Sequence, residues 1–238
     1  MCPPGCFQFF CGSEPITKPW NFRETPFRFG GGETVMVAAL ARPDFAQDPL
    51  MAMNYLQKHK IKTIFGLDAH PTFKTMANKL GMNYVDVSIP DFSAPSLEIF
   101  DQAYEEIVKQ AKSKKKVAIH CMGGLGRTGA VLAAIKLREL AGNESFYQHD
   151  TKMNSTIALS LEERSVKQWV KCTANVRDAV CAIRAIAGNE DTIETDLQIN
   201  SLCSYELLLR RRHMLLQESK VEKSGQYLAL SASTVIGH

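Results

Sequence analysis

The run VAIHCMGGLGRTGAVLAAI, residues 117–135, joins an apolar strand to an apolar helix through a turn built mostly of glycine. A strand without polar alternation is buried on both faces, and a helix as rich in Ala, Val, Leu and Ile as TGAVLAAIKLREL must be buried almost all round. Both conditions hold when the strand lies inside a sheet covered by helices on its two sides. The rest of the chain agrees. TVMVAAL, KTIFGL and NYVDVSI read as strands, separated by helical patterns at QDPLMAMNYLQKHK (Leu50, Met53 and Leu56 at helical spacing) and at PTFKTMANKLG, which opens with Pro and closes with Gly. A further helix, SLEIFDQAYEEIVKQAKSK, gathers Leu97, Phe100, Tyr104 and Ile107 on one face. This alternation predicts an α/β fold, a single domain with a central, mostly parallel sheet flanked by helices.

At 238 residues the chain is long enough for one large domain with a substantial core. Residues 1–32, rich in proline and ending in GGG, read as an irregular leader, with the main domain at 33–218. Within it, 142–172 mixes Asn, Ser, Gln and Lys and reads as an inserted segment with a short helix at LEERSVKQWV. Two helices, ANVRDAVCAIRAIAG and TDLQINSLCSYELLLRRRHMLL, close the domain, and 219–238 has no clear period and reads as a tail.

The net charge is +3, and the cations cluster only at Lys112 to Lys116 and Arg210 to Arg212, which read as solvated helix ends. No nucleic-acid partner is expected from that distribution. No apolar run approaches the ~20 residues that cross a bilayer, and the opening residues lack the basic start and apolar stretch of a secretory signal. A cytoplasmic protein is the expectation. Its seven cysteines, odd in number and widely spread, favour free thiols. Cys2, Cys6 and Cys11 offer no metal-ligand spacing; S-acylation of these residues is the membrane-attached alternative to a bare arm. Cys172, Cys181 and Cys203 read as small core residues.

GLGRTG, residues 124–129, also fits the G-x-G-x-x-G fingerprint of dinucleotide sites. That fold requires a second strand after the helix, closed by an acidic residue that holds the ribose. Here AGNESFYQHDTKMNS follows instead, so the context fails. No Gly-Lys-Ser/Thr ends the run, which also rules out a nucleotide P-loop. A different chemistry fits better. Cys121 ends the strand, Arg127 follows six positions later, and Met122, Gly123, Gly124, Leu125 and Gly126 between them allow the chain to curl with its amides inward. Such a nest at a helix N-terminus binds a tetrahedral anion, and an Arg fork grips two of its oxygens. The same field favours a thiolate at Cys121.

The stretch HCMGGLGRTG matches His-Cys-x5-Arg-Ser/Thr and thereby resembles the cysteine-dependent protein tyrosine phosphatases, most closely their compact dual-specificity branch. SIPDFSAPS is similar to the family's mobile acid loop, DTIETDLQ to its closing segment before the last helix, and ALARP to its opening strand and turn. The resemblance spans about 34–218 and implies hydrolysis of a phosphorylated protein, with no metal and no organic cofactor. It makes Cys121 the nucleophile that forms a phospho-cysteine. Asp91 is then the general acid and later the base, while Arg127 and the amides of Met122 to Arg127 hold the phosphate. Thr128 is implied as a hydroxyl donor to sulfur, with a helix N-cap as the alternative, His120 as a residue that orders the loop, and Gln198 as the one that places water. Asp86, inside an apparent strand, is the rival acid, and Asp68 lies too far upstream. Family members that act on phosphoinositides or inositol phosphates tend to carry Lys or Arg between the Cys and the Arg; this loop is neutral, so the resemblance favours a phosphoprotein, and the compact acid loop implies a shallow pocket that takes phosphotyrosine with tolerance of phosphoserine and phosphothreonine. A non-catalytic phosphate-binding module and an RNA 5′-triphosphate-processing enzyme are the remaining alternatives.

Overall fold

In the computed structural model, residues 18–29, 32, 34–45, 48–68, 70–148 and 173–235 are described, with side chains of the last helix described to 221. Five strands form one sheet in the order β1-β2-β5-β3-β4. They are β1 (Arg23–Arg28), β2 (Thr34–Ala41), β3 (Ile61–Gly66), β4 (Asn83–Asp86) and β5 (Lys116–Cys121). All pairings except β1 with β2 are parallel. The α/β, mostly parallel sheet expected from the alternation is therefore what the chain forms.

The helices fall on both faces. On one side α1 (Pro49–Lys58) and α2 (Pro71–Lys79) cover Ala38, Leu40, Ile64 and Ala118, with Met53, Leu56 and Phe73 as the filling side chains. On the other, α3 (Leu97–Ala111), α4 (Gly126–Leu140), the short α5 (Ser145–Gln148), α6 (Ala174–Ala187) and α7 (Asp196–Val235) pack on Val37, Ala39, Phe65, Val117 and Ile119. The alternate residues of β2 and β5 thus feed two separate cores, as the two-residue period of a strand requires. Of the stripe read from α1, Met53 and Leu56 are buried and Leu50 is exposed. Ser96 and Thr173 cap α3 and α6 by accepting backbone N–H groups, and Asp48 does the same for α1. α4 is buried without interruption from Gly126 to Ile135, as its composition requires.

Several expectations change. Residues 23–28, inside the stretch expected as an irregular leader, form the antiparallel edge strand β1. Thr25 and Phe27 turn inward, and Pro26, which has no amide to donate, is tolerated on an edge. The segment expected as a tail from 219 continues α7 to Val235. Arg210 to Arg212 lie inside α7 rather than at its end, because Arg210 pairs with Glu206 and Arg212 with Asp101. Cys181 is exposed on α6 and Cys203 is partly buried, so of these two Cys203 packs against the core. The helix expected at LEERSVKQWV, residues Cys2, Cys6, Cys11 and Cys172, and residues 149–172 lie outside the described residues.

Asp101 on α3 ties the second face together. It accepts hydrogen bonds from Arg138 of α4 and from Tyr205 and Arg212 of α7 at 2.6–3.0 Å. Burial opposes its charge, yet the donors from Arg212, Tyr205 and Arg138 hold the carboxyl down to about 2. A carboxyl depressed in the folded state contributes stability above its unfolded value, near 4, and loses it as pH falls toward 2. Asp101→Asn should therefore be less stable than the parent at neutral pH, with the gap closing between about pH 4 and pH 2. Thermal unfolding followed by circular dichroism across that range is the check; a gap that does not depend on pH would show that the carboxylate charge is immaterial.

Candidate active site

β5 is flanked by β2 and β3, with Ala41 beside Cys121 and Gly66 beside His120 at the carboxyl edge of the sheet. This is where open α/β sheets place their ligands. Cys121 is buried at 3% exposure, and the chain curls through 122–125 into α4. What fixes the curl is the fate of its carbonyls. Leu67 N donates to His120 O at 2.8 Å, and Arg42 N donates to Met122 O at 3.0 Å. Asn21 Nδ2 donates to Gly123 O at 2.8 Å and Arg23 Nη2 to Gly124 O at 2.9 Å. Gly129 N closes Leu125 O at 2.7 Å as the first turn of α4. With these carbonyls committed outside the loop, its amides are left for the concave side, and the N-terminus of α4 adds its positive dipole end. Gly124 has φ +73°, and a Cβ there would overlap the Leu40 carbonyl, so only glycine fits.

Asn21 and Arg23 belong to the stretch read as a leader and were not expected at the site. No local signal marks them, since each acts across about a hundred residues. Arg23 is largely buried, and burial lowers the proton affinity of its guanidinium while the nearby Cys121 raises it.

His120 is fully buried on the opposite face from Cys121, and its Nε2 lies 2.8 Å from Tyr84 Oη in a hydrogen bond. Burial pushes its imidazole down to about 4, so the ring is neutral at physiological pH. Tyr84 in turn needs Gly66, where any Cβ would overlap its ring hydroxyl. The pair braces the strand end on which Cys121 sits. Thr128 is buried, and its hydroxyl makes no hydrogen bond among the described residues.

Arg127, the second residue of α4, is buried and points to the acid loop. Its Nη1 donates to Ile89 O at 2.7 Å, and its Nη2 donates to Asp91 Oδ1 at 2.8 Å. Asp91 remains 43% exposed, so the pair has one dry and one wet partner. The structure thus brings together the Cys121 loop, Arg127 and Asp91. Asp68 instead pairs with Arg42, and Asp86 accepts the Ser88 amide in its own turn.

The acid loop is held from the far end of the sequence. Thr195 Oγ1 donates to Phe92 O at 3.1 Å, Gln198 Nε2 to Ser93 O at 3.3 Å, and Ser201 Oγ to Pro95 O at 2.6 Å. Gln198 is fully buried, and its Oε1 accepts Glu194 N at 2.8 Å, so both ends of its amide serve backbone groups. Glu194, quoted within DTIETDLQ but given no role from sequence, lays its carboxyl against Gly126, where a Cβ would overlap Oε2. Glu194 is exposed; the partial burial of its carboxyl raises its proton affinity, Asp91 adds to that, and Arg127 opposes it. Phe92, Met122 and Leu197 are exposed apolar side chains from the acid loop, the phosphate loop and α7.

Residues 41–141 match a family described as a polymorphic toxin system DSP-PTPase phosphatase. The chain is 34% identical over 91 residues to tyrosine-protein phosphatase cdc-14 of Caenorhabditis elegans, which is 38% of this chain and 12% of that protein. It is 31% identical over 85 residues to tyrosine-protein phosphatase CDC14 of Saccharomyces cerevisiae, 34% of this chain and 15% of the relative. The chain therefore spans well under a quarter of the length of these two relatives. Among solved structures, a kinase-associated phosphatase with serine in place of its catalytic cysteine aligns at TM-score 0.55 and 18% identity, covering 81% of this chain and 97% of that one. PTPMT1 in complex with PI(5)P aligns at TM-score 0.50 and 14% identity, over 74% and 94%. At those identities the structural likeness concerns the fold.

Gly124→Ala should lose roughly 1–3 kcal/mol of stability from the left-handed backbone alone, with the overlap on Leu40 added. It should also lose the upward shift in melting temperature that inorganic phosphate gives the parent. Denaturant and thermal melts with and without phosphate measure both; a variant that melts like the parent and still responds to phosphate would mean that the loop does not depend on this curl.

Proposed function

We infer that this chain, which over residues 41–141 belongs to the cysteine-dependent protein tyrosine phosphatase superfamily, hydrolyses phosphate monoesters on proteins through a phospho-cysteine intermediate. The observation that supports this most directly is the loop from Cys121 to Arg127, whose outward carbonyls leave an anion cradle beside a buried cysteine and a buried arginine.

The chemistry follows from the placement. Cys121 attacks phosphorus in line as the nucleophile, with the N-terminus of α4 beneath it. Arg127 and the amides of Met122 to Arg127 take the equatorial oxygens and strengthen as charge develops there. Asp91 protonates the departing oxygen. For that it must leave Arg127 Nη2, which the incoming phosphate claims; substrate binding and release of the acid are thereby the same event. The unpartnered Thr128 hydroxyl is free to donate to sulfur when the intermediate breaks. Gln198 acts on the acid loop through Ser93, and His120 on the strand end through Tyr84.

Phosphoproteins are the favoured substrates over polyphosphorylated inositols. Met122 to Gly126 carry no charge, and the two arginines that touch the loop are committed, Arg23 to Gly124 O and Arg42 to Asp44 and Asp68. No spare cation is offered there for a second phosphate among the described residues. Phosphotyrosine with tolerance of phosphoserine and phosphothreonine remains our reading of the compact acid loop. We place the reaction in the cytoplasm, where the free thiols of Cys121, Cys181 and Cys203 persist. No helix among the described residues is long and apolar enough to cross a membrane.

The protein should turn over p-nitrophenyl phosphate with chelator present, and Cys121→Ser should abolish turnover. Full activity in that variant, or none in the parent, would refute the mechanism. Asp91→Asn should lose roughly 10²–10⁴-fold on phosphopeptides, whose leaving groups need a proton, and much less on aryl phosphates with good leaving groups. Equal losses on both, in paired kcat/KM measurements, would remove Asp91 from the acid role.

A further inference from the structure

With Gln198 committed at both ends to backbone, the carboxyl of Glu194 stands out as a group of the site with no assignment. Three observations bear on it. Its Oε2 lies against Gly126, the first residue of α4 and the neighbour of Arg127, so it faces the end of the helix where the phosphate cradle opens. Its own backbone N–H is fixed by Gln198 Oε1, and Gln198 reaches on to Ser93, so the residue is anchored to the same scaffold that holds the acid loop. Its carboxylate, on an exposed residue and open to water, receives no protein hydrogen bond among the described residues, in contrast to Asp91, which accepts from both Arg127 and the Phe92 amide.

The bland account is a helix cap. Leu125, the N-cap residue of α4, supplies no side-chain cap, and a carboxylate at that position is stabilised by the helix dipole. A cap, however, lowers the proton affinity of the carboxyl it holds, whereas Glu194 is shifted upward, by burial first and by Asp91 next. The group is held as a better base than a capping carboxylate would be.

We propose that Glu194 is a second catalytic carboxyl, the base for the hydrolytic half of the reaction. The proposal rests on the phospho-cysteine reading above. Water oxygen bonds to phosphorus, the phosphorus–Sγ bond breaks with its electron pair returning to Cys121 as thiolate, and the water proton passes to the Glu194 carboxylate and then to solvent. Phosphate leaves. Asp91 keeps the other half, the proton for the leaving group. Two carboxyls facing one cradle, one paired to Arg127 and one unpaired, divide the two proton transfers between them.

Rapid-mixing kinetics with p-nitrophenyl phosphate separates the halves, because nitrophenol is released on formation of the phospho-cysteine and inorganic phosphate on its hydrolysis. Glu194→Gln should keep a nitrophenol burst close to one per active site at the parent's rate, while its steady-state turnover falls roughly 10²-fold or more and intact-mass analysis finds the phosphorylated protein. Glu194→Asp, which restores a carboxyl, should recover part of the turnover. Unchanged steady-state turnover in Glu194→Gln, or a burst slowed in proportion to it, would overturn the proposal, as would a lower melting temperature with no kinetic split, the sign of a cap. If the parent itself gave neither turnover nor a phosphorylated Cys121, the phosphatase reading would fail first, and this inference with it.

Discussion

A turn of five residues between a buried strand and a buried helix has too many polar backbone groups for its surroundings, and the site is the solution to that problem. Each peptide in the curl has an N–H and a C=O to satisfy, and a buried carbonyl left unpaired costs about as much as a lost hydrogen bond. The protein spends an amide from β3's exit, an amide from β2's exit, the Asn21 side chain and the Arg23 guanidinium on carbonyls of the loop and the strand end before it. Once the carbonyls are fixed outward, the geometry leaves the amides little choice. The anion binding proposed for the loop is thus a by-product of how the curl is buried, and the glycine at 124 is demanded by the Leu40 backbone rather than by any anion.

The same economy governs the acid. Arg127 is nearly dry and carries a full charge, which requires partners on every donor it turns toward the interior. Ile89 O and Asp91 supply them. The guanidinium proposed to take phosphate is therefore paired in this structure with the proposed acid, and the acid loop is in turn pinned by Thr195 just before α7 and by Gln198 and Ser201 in its first turns. The loop's conformation and the last helix's position are coupled through these three bonds.

Much of this was visible in the chain. The Cys121–Arg127 spacing and the burial of α4 follow from a short stretch whose composition leaves few options, and the order of β2, β3, β4 and β5 with their helices follows from period alone. What escaped reading has physical causes. β1 shows its alternation only across Thr25 to Arg28, too few residues to stand out beside prolines and glycines, and it is a strand because β2 offers an edge, not because its own sequence insists. α7 was cut short because a period is legible only where one face is buried, and most side chains from Met214 to Val221 are exposed. Leu50 shares the helical spacing of Met53 and Leu56 but lies in the first turn of α1, where it stays exposed. Asn21, Arg23 and Glu194 are defined by contacts across the fold, and no spacing rule reaches them.

The residues that brace the cradle and the acid loop come from two distant parts of the chain: Asn21 and Arg23 bond the loop from 102 and 101 positions away, and Thr195, Gln198 and Ser201 bond the acid loop from 103, 105 and 106 positions away. Contacts so far apart in sequence close late in folding, because the entropy of the intervening chain is lost before they return any energy. The central strands and α4 are able to assemble from nearer neighbours, whereas the reactive centre waits for both flanks to arrive. On the mechanism proposed above, competence of the thiol is therefore acquired at the end of folding, when residues near 200 have docked, and it is the first property forfeited when either flank frays from an otherwise intact core.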